Sequence, residues 1–282
     1  MRRMDVSYLY TPALRVDSLV AHADTLQAHM VVVDLEDSTH INAKVQARDK
    51  VAAFDFSPLR DRGVKVGVRI NAISTYDGVQ DLLLVRSLFG DTRTVFSHVF
   101  IPKVGHEREV RIYRTLFSTL PVVPSLYSFI ETVDGVEHAE GIASVSDALC
   151  FGQADLVSEM YSPNDAFINY ARARMCVAAA KYNIQAIDTN SFDIKDMVKF
   201  EEECVRARGY GFTAKAAIHP DQVPIVNRVF AVSPELITKY ESAIAAYMAS
   251  EAGFLIKDSE VMAPPFIAKA RRMLSFYKRH TT

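Results

Sequence analysis

Short apolar runs rich in Val, Ile and Phe recur along most of this chain, at 7–12, 30–34, 65–71, 98–103, 122–131, 148–155, 184–188 and 215–220. Between them lie segments with helical spacing, among them 17–29, 42–56, 107–120, 165–182 and 194–209, long enough to be crossover helices joining parallel strands. Eight strand-then-helix units with no polar or Pro/Gly-rich linker predict a closed (β/α)8 TIM barrel rather than an open sheet with a second domain. The barrel is expected over 1–232. Residues 233–282 read as a C-terminal extension: a helix over 234–250, an apolar stretch over 253–262 and a last helix over 265–277. A barrel places the C-terminal ends of its strands around the active site, so polar residues at strand exits are the candidates for chemistry.

Composition narrows the class. With 49% hydrophobic and 23% charged residues and a formal net charge of −2, the 282 residues can bury a large core and carry no strong global field, so no nucleic-acid partner is expected. No apolar stretch approaches bilayer length, and the first residues lack the apolar core of a signal peptide, so a cytoplasmic protein without a membrane partner is expected. The three cysteines, Cys150, Cys176 and Cys204, have no metal-ligand spacing and read as buried packing residues in a reducing compartment.

Glu131 and Asp155 each end an apolar run, in Ser128-Phe129-Ile130-Glu131-Thr132 and Cys150-Phe151-Gly152-Gln153-Ala154-Asp155. Carboxylates at the exits of successive strands suggest a divalent-metal site. Magnesium favours oxygen ligands and keeps several waters, so two carboxylates leave room for a chelating substrate. The run from Met30 opens into three acids, Asp34, Glu36 and Asp37. At a barrel mouth they can hold water on a metal, orient basic residues or supply a general base; the alternative is that Asp37 or Ser38 caps the next helix. Arg69 stands on a strand otherwise apolar or small and needs a carboxylate partner, either the substrate's, held bidentately, or Glu36 or Asp37. Lys103 ends the run Phe100-Ile101-Pro102; neighbouring acids would keep it charged, which favours an electrostatic or structural role over a Schiff base. Lys215 at the entry of the last strand reads as structural. His219 at its exit is either an acid/base or binding residue, or a hydrogen-bonded core residue.

Together these segments resemble the citrate lyase β-subunit-like family, which includes malyl-CoA and citramalyl-CoA lyases. The resemblance runs from about residue 7 to 270 through Tyr8-Leu9-Tyr10-Thr11-Pro12, Asp34-Leu35-Glu36-Asp37, Val68-Arg69-Ile70-Asn71, Pro102-Lys103, Ile130-Glu131-Thr132, Phe151-Gly152-Gln153-Ala154-Asp155, Ala186-Ile187-Asp188-Thr189 and Gly211-Phe212 through Gln222. It implies Mg2+, with Mn2+ as a substitute, on Glu131 and Asp155. It also implies Arg69 on the substrate's carboxylate or carbonyl with support from Glu36 and Asp37, and a homo-oligomer, commonly a trimer, whose C-terminal segment covers a neighbour's active site as a lid. Candidate substrate-binding residues are Arg69, Lys103, Gly152 and Gln153; candidate bases are Asp37, a metal-held water, and Asp258 from another subunit. The activity implied is a Mg2+-dependent carbon–carbon lyase acting on a small 3-hydroxy acid carboxylate or its acyl-CoA thioester. Alternatives are a thioesterase or malate-synthase-like enzyme on the same site, and a non-catalytic binding or scaffold subunit. Two positions depart from the family pattern: Val6 stands where an arginine usually precedes Ser7, and Ala214 replaces a glycine. Both bear on coenzyme A recognition, with Arg3 or Arg15 as possible replacements for the missing arginine.

Overall fold

The computed structural model describes residues 4–22, 25–89, 93, 95–162, 164–250, 253–257 and 260–280. Strands β1 (Ser7–Pro12), β2 (Met30–Asp34), β3 (Lys65–Arg69), β4 (Phe96–Ile101), β5 (Ser125–Ile130), β6 (Ala148–Phe151), β7 (Gln185–Asp188) and β8 (Ala214–Ala217) pair in sequence order and close into a barrel. Every pairing is parallel, and β8 returns to β1 with Ser7 opposite Lys215. This is the (β/α)8 fold that the apolar runs predict. The strands are shorter than the runs: β3 stops at Arg69, β6 at Phe151 and β8 at Ala217, where the chain turns into the loops of the barrel mouth.

Alternation along the strands separates two apolar layers. Leu9 faces outward and packs with Ala28, Ala217 and Val223 beneath the helix Gln222–Phe230. Its neighbours Tyr8 and Tyr10 face inward. Tyr8 lies 6.2 Å from the Phe100 ring and 6.1 Å from Tyr127, contacts between strands that are not paired and which therefore cross the barrel interior. Gly67 makes room for this packing, since a Cβ there would stand 2.7 Å from the Phe100 ring. The interior is thus filled by aromatic side chains below the site.

The chain forms two compact units, Val6–Phe230 and one made of the residues from Ala231 onward together with Met4 and Asp5. In the second, the helices Pro234–Met248 and Pro264–His280 pack together, and the apolar stretch 253–262 supplies an antiparallel hairpin of β9 (Leu255–Lys257) and β10 (Glu260–Met262). Met262 is buried, but Phe254, Ile256, Val261 and Phe266 are exposed. Asp258 lies outside the described residues. No helix among the described residues is long and apolar enough to cross a membrane.

Candidate active site

The acidic loop after β2 is built by its own first residue. Asp34 accepts the backbone N–H of Glu36 at Oδ1 (3.0 Å) and that of Ser38 at Oδ2 (3.2 Å), which turns the chain over the barrel mouth. Neither Asp37 nor Ser38 caps the helix that follows; His40 Nδ1 accepts from Asn42 N–H at the start of its first turn. The buried Lys44 ammonium ties the loop down, donating to Leu35 O and Glu36 O at 2.7 Å each and to Asn71 Oδ1 at 2.8 Å.

Arg69, the last residue of β3, is opposite Asp34 in the sheet register. Its Nε donates to Asp34 Oδ1 (2.8 Å) and its Nη2 to Asp34 Oδ2 (2.7 Å), a bidentate pair. Nη1 faces Glu36 Oε2 at 2.9 Å, an ion pair without hydrogen-bond geometry, and Asp37 Oδ2 at 3.5 Å. The guanidinium lies over the rings of Tyr10 (5.4 Å) and Phe129 (5.6 Å). Both expected protein partners of Arg69 are present, yet the fork itself is taken by Asp34.

Lys103, just past β4, adopts a left-handed backbone conformation with φ 52°. That turn aims its N–H at Glu131 Oε1 (2.7 Å), and its ammonium reaches Glu36 Oε1 (2.7 Å), Asp155 Oδ1 (3.4 Å) and Asp37 Oδ1 (3.8 Å). It is a charge-paired lysine, the electrostatic reading. Glu131 follows β5 directly and is buried. Gly152 lies against it: a Cβ at this position would meet Glu131 Oε2 at 2.1 Å, so only glycine lets that carboxylate occupy its place. Asp155 is not at a strand exit as the apolar run suggests. Gly152 ends the extended segment, and Asp155 stands in the first turn of the helix Gln153–Ser158, whose amide end favours a carboxylate.

Five carboxylates, Asp34, Glu36, Asp37, Glu131 and Asp155, therefore gather round two cations, Arg69 and Lys103. The acids respond unequally. Burial pushes Asp34 up, but Arg69 and the hydrogen bonds from Ser38 and Glu36 more than offset it, and its pKa falls below the ordinary value. Glu36 is raised by burial and by Asp37, against the pull of Arg69 and Lys103. Glu131 is raised well above the carboxylate range by burial, then by Glu36 and Asp155. On Lys103, burial is outweighed by Glu36, Asp155 and Asp37, and the ammonium is held more firmly protonated than usual. Glu131 Oε2 takes no hydrogen bond from a described residue, and among the described residues the Asp155 carboxylate is engaged by Lys103 alone. These oxygens suit a hard divalent cation. Among the described residues no group of three or more His, Cys, Asp or Glu forms a metal cage, but a magnesium site of two carboxylates completed by water and substrate requires none.

The cluster opens into a cavity of about 340 Å³ lined on its polar side by Asp34, Asp37, Arg69, Glu131 and Asp155, and elsewhere by Tyr10, Phe151, Ile187, Ala216 and Ile218. Gly152 lines it too. Gln153 turns away: its Oε1 accepts from Arg172 Nη2 (2.9 Å), and it lines a second cavity of about 210 Å³. There Asp188 stands between two cations, Arg172 Nη1 at 2.8 Å and Lys215 Nζ at 2.6 Å, and Lys215 is the structural residue its position suggests. His219 lies past β8, accepts from Asp221 N–H at 3.3 Å and is not among the lining residues of the larger cavity. The cysteines are free and buried; burial pushes the thiols of Cys176 and Cys204 up to about 12. Sequence reasoning did not single out Asp34 as the partner of Arg69, Lys44 as the anchor of the acidic loop, or Tyr10. None of the three had a signal in the sequence: the Asp34–Arg69 pair follows from the β2–β3 register.

A parallel eight-stranded barrel with its carboxylates gathered at the strand C-terminal face defines a barrel enzyme of the aldolase and lyase kind. The chain belongs to the HpcH/HpaI aldolase/citrate lyase family, whose pattern it matches over residues 7–220, and it is an enzyme of that lyase class. It is 29% identical over 262 residues to mitochondrial citramalyl-CoA lyase of Mus musculus, covering 85% of this chain and 75% of that protein. It is 28% identical over 278 residues to (3S)-malyl-CoA thioesterase of Cereibacter sphaeroides, covering 95% and 93%. The citrate lyase β subunit of Mycobacterium tuberculosis, solved with oxaloacetate and magnesium, superposes with a TM-score of 0.67 at 25% identity, over 80% of this chain and 97% of that one.

Proposed function

We propose that this enzyme is a Mg2+-dependent carbon–carbon lyase that cleaves, or in reverse condenses, a small 3-hydroxy acid or its acyl-CoA thioester. The observation that carries the reading is the charge imbalance at the cavity, where five carboxylates meet two cations and the oxygens of Glu131 and Asp155 are left short of donors. Glu131 and Asp155 would hold the metal. When bound, it supplies Lewis acidity to the carboxylate and carbonyl oxygens of a pyruvate-, glyoxylate- or oxaloacetate-like fragment. The lyase names of the relatives, and the oxaloacetate and magnesium in the M. tuberculosis structure, support the same chemistry.

The chain's own groups divide the remaining work. Arg69 adds positive charge where the oxyanion develops, and Asp34 holds its plane fixed so that no reorganisation is needed during reaction. Asp37, whose side chain is 52% exposed and lines the cavity, is the described carboxylate free enough to take the proton from the substrate hydroxyl as the carbon–carbon bond breaks. Lys103 pairs with Glu36, lowering the charge repulsion among the acids, and orients Glu131 through its backbone amide.

The test is thermal unfolding of wild type and Asp155→Ala with and without Mg2+ or Mn2+, followed by assay of 3-hydroxy acids and their CoA thioesters. Metal binding to the folded state alone raises Tm by mass action. Equal metal responses in the two proteins would remove Asp155 from the site. Thioester hydrolysis on the same residues is the second reading, favoured by the malyl-CoA thioesterase relative; release of free thiol without a 2-oxo acid distinguishes it.

A homo-oligomer, trimeric or larger, belongs to the same reading, with residues 233–282 as its assembly element and Asp258 reaching a neighbour's site. The exposed Phe254, Ile256, Val261 and Phe266 support it, since so much apolar surface calls for a cover. Truncation after Ser250 that leaves size in solution and activity unchanged would rule this out.

A further inference from the structure

Tyr10 follows Tyr8 in the inward-facing series of β1 and lines the cavity above the packed interior. Its ring is held edge-on by Phe100 (5.9 Å) and Phe129 (6.4 Å) and carries the Arg69 guanidinium. Two residues earlier on the same face, Tyr8 is fully buried and its hydroxyl donates to Gln185 Oε1 at 2.9 Å. Tyr10 differs. Its hydroxyl makes no hydrogen bond to a described residue, yet it is not sealed in the interior, because the side chain lines the cavity. Arg69 lies over its ring, and Asp34, Glu131 and Cys150 line the same cavity and act on the hydroxyl electrostatically, so Tyr10 shares that cavity with the acids.

A phenol there is a donor without an acceptor. Burial, more than any neighbour, raises its pKa well above the ordinary value, so the proton stays on the oxygen. Of the carboxylates nearby, Asp34 is held by Arg69 and Glu131 Oε1 by the Lys103 amide, while Glu131 Oε2, the oxygen left for a metal, takes no hydrogen bond from this hydroxyl. The rest of the lining is apolar at Phe151, Ile187, Ala216 and Ile218 and polar at Ser38, Asp188, Thr189 and Asn190, and among the described residues none of these side chains takes a hydrogen bond from this hydroxyl; Asp188 is already engaged by Arg172 and Lys215. A ligand that fills the cavity therefore decides whether the hydroxyl is paired or left dry and unpaired, and the second outcome carries a penalty.

We propose that Tyr10 is a specificity-determining residue: its hydroxyl donates a hydrogen bond to a carboxylate or carbonyl oxygen of the 2-oxo acid fragment, selecting substrates that place oxygen rather than hydrocarbon at the cavity floor. This rests on the lyase reading, which supplies a 2-oxo acid as the fragment formed or consumed. No covalent step is assigned to Tyr10.

Tyr10→Phe keeps the ring contacts and removes only the hydroxyl. Three measurements on the full-length protein separate the cases: Tm without ligand, the Tm response to Mg2+ alone, and calorimetric titration of pyruvate, glyoxylate and oxaloacetate at saturating Mg2+. The expected result is an unchanged Tm, an unchanged Mg2+ response and an affinity for the 2-oxo acids weaker by about tenfold, the effect of losing one hydrogen bond to a charged acceptor. The same loss should appear in KM more than in kcat. Equal affinities in wild type and variant would overturn this inference and leave the lyase reading standing. A weakened response to Mg2+ alone would overturn it differently, by showing that Tyr10 acts through the metal-holding carboxylates. A wild type that responds to Mg2+ but binds none of the three acids would overturn the substrate reading, and this inference with it.

Discussion

Around Asp188 a single carboxylate stands between two cations, Arg172 and Lys215, and all three side chains are largely buried. Around Arg69 and Lys103 two cations face five carboxylates, and the surplus acids look into a cavity. Both clusters lie at the same end of the same barrel, so burial alone does not distinguish them. Asp188 also lines both cavities, so the difference lies in how completely the charges are closed off by partners. The Asp188 cluster is paired from every side: Lys215 also donates to Thr189 O, and Arg172 is stacked on Phe151, Tyr210 and Phe212. The Arg69 cluster leaves Glu131 raised and Asp155 short of partners, an arrangement that a protein optimised only for stability would avoid.

The largest effect should come from breaking the closed cluster. Asp188→Ala would leave two buried cations facing each other, a loss of about 3–5 kcal/mol, expected as a fall in Tm on the order of 10 °C in calorimetry; a variant that melts with wild type would refute the structural role. Next, Arg69→Lys keeps a charge but loses the fork to Asp34. The expected outcome is a fall in kcat on the order of 10²-fold, with a smaller loss of Tm than for Asp188→Ala. If Arg69→Lys instead melts far earlier with normal turnover, the two clusters are alike and the contrast fails.

Gly152→Ala sharpens the comparison from the open side. The added methyl would meet Glu131 Oε2 at 2.1 Å, so the carboxylate must move while the closed cluster is untouched. The Mg2+-induced rise in Tm, worth about 2.7 kcal/mol at a hundredfold excess over Kd, should largely vanish; a full response would mean that Glu131 does not hold the metal. The smallest effect concerns a buried polar group outside both clusters. Burial beside Lys65 lowers the pKa of His98 from 6.5 to about 3. The unfolded chain then gains a proton below pH 6.5 that the native ring refuses until about pH 3. His98 therefore stabilises the fold fully above pH 6.5, and that stability is lost as pH falls, at up to about 1.4 kcal/mol per pH unit. His98→Gln should flatten the pH dependence of unfolding between pH 6 and pH 4; identical slopes would exonerate His98.

Much of the fold was legible in the sequence because the barrel strands are buried on both faces and appear as apolar runs. β1 and β2 match their runs residue for residue. The runs at 148–155 and 215–220 overshoot because apolar character continues past the point where Gly152 and Ala217 turn the backbone out of the sheet. The hairpin of β9 and β10 was hidden in an unpatterned apolar stretch. At the site, the acids and bases could be named one by one, since charge at a strand exit is unusual. Which acid takes the fork of Arg69 was not legible, because it follows from the register between β2 and β3, and register is a property of pairs of strands. Tyr10 was invisible for a related reason: in a chain with twelve tyrosines, what sets this one apart is its place in the cavity lining, which the fold decides.

The aromatic packing beneath the cavity has a kinetic consequence. Tyr8 and Phe100 are fully buried and Tyr127 nearly so, and they plug the barrel under Arg69, so traffic through its axis is blocked. Whatever enters between the mouth loops must leave between them, in a queue. For a two-product reaction the fragment lying deepest, over Tyr10, departs after the one nearer the rim. On the proposed lyase reading release is then compulsory-ordered, and product inhibition should show the small acid, last to leave, competitive with the substrate of the cleavage direction and the other product non-competitive.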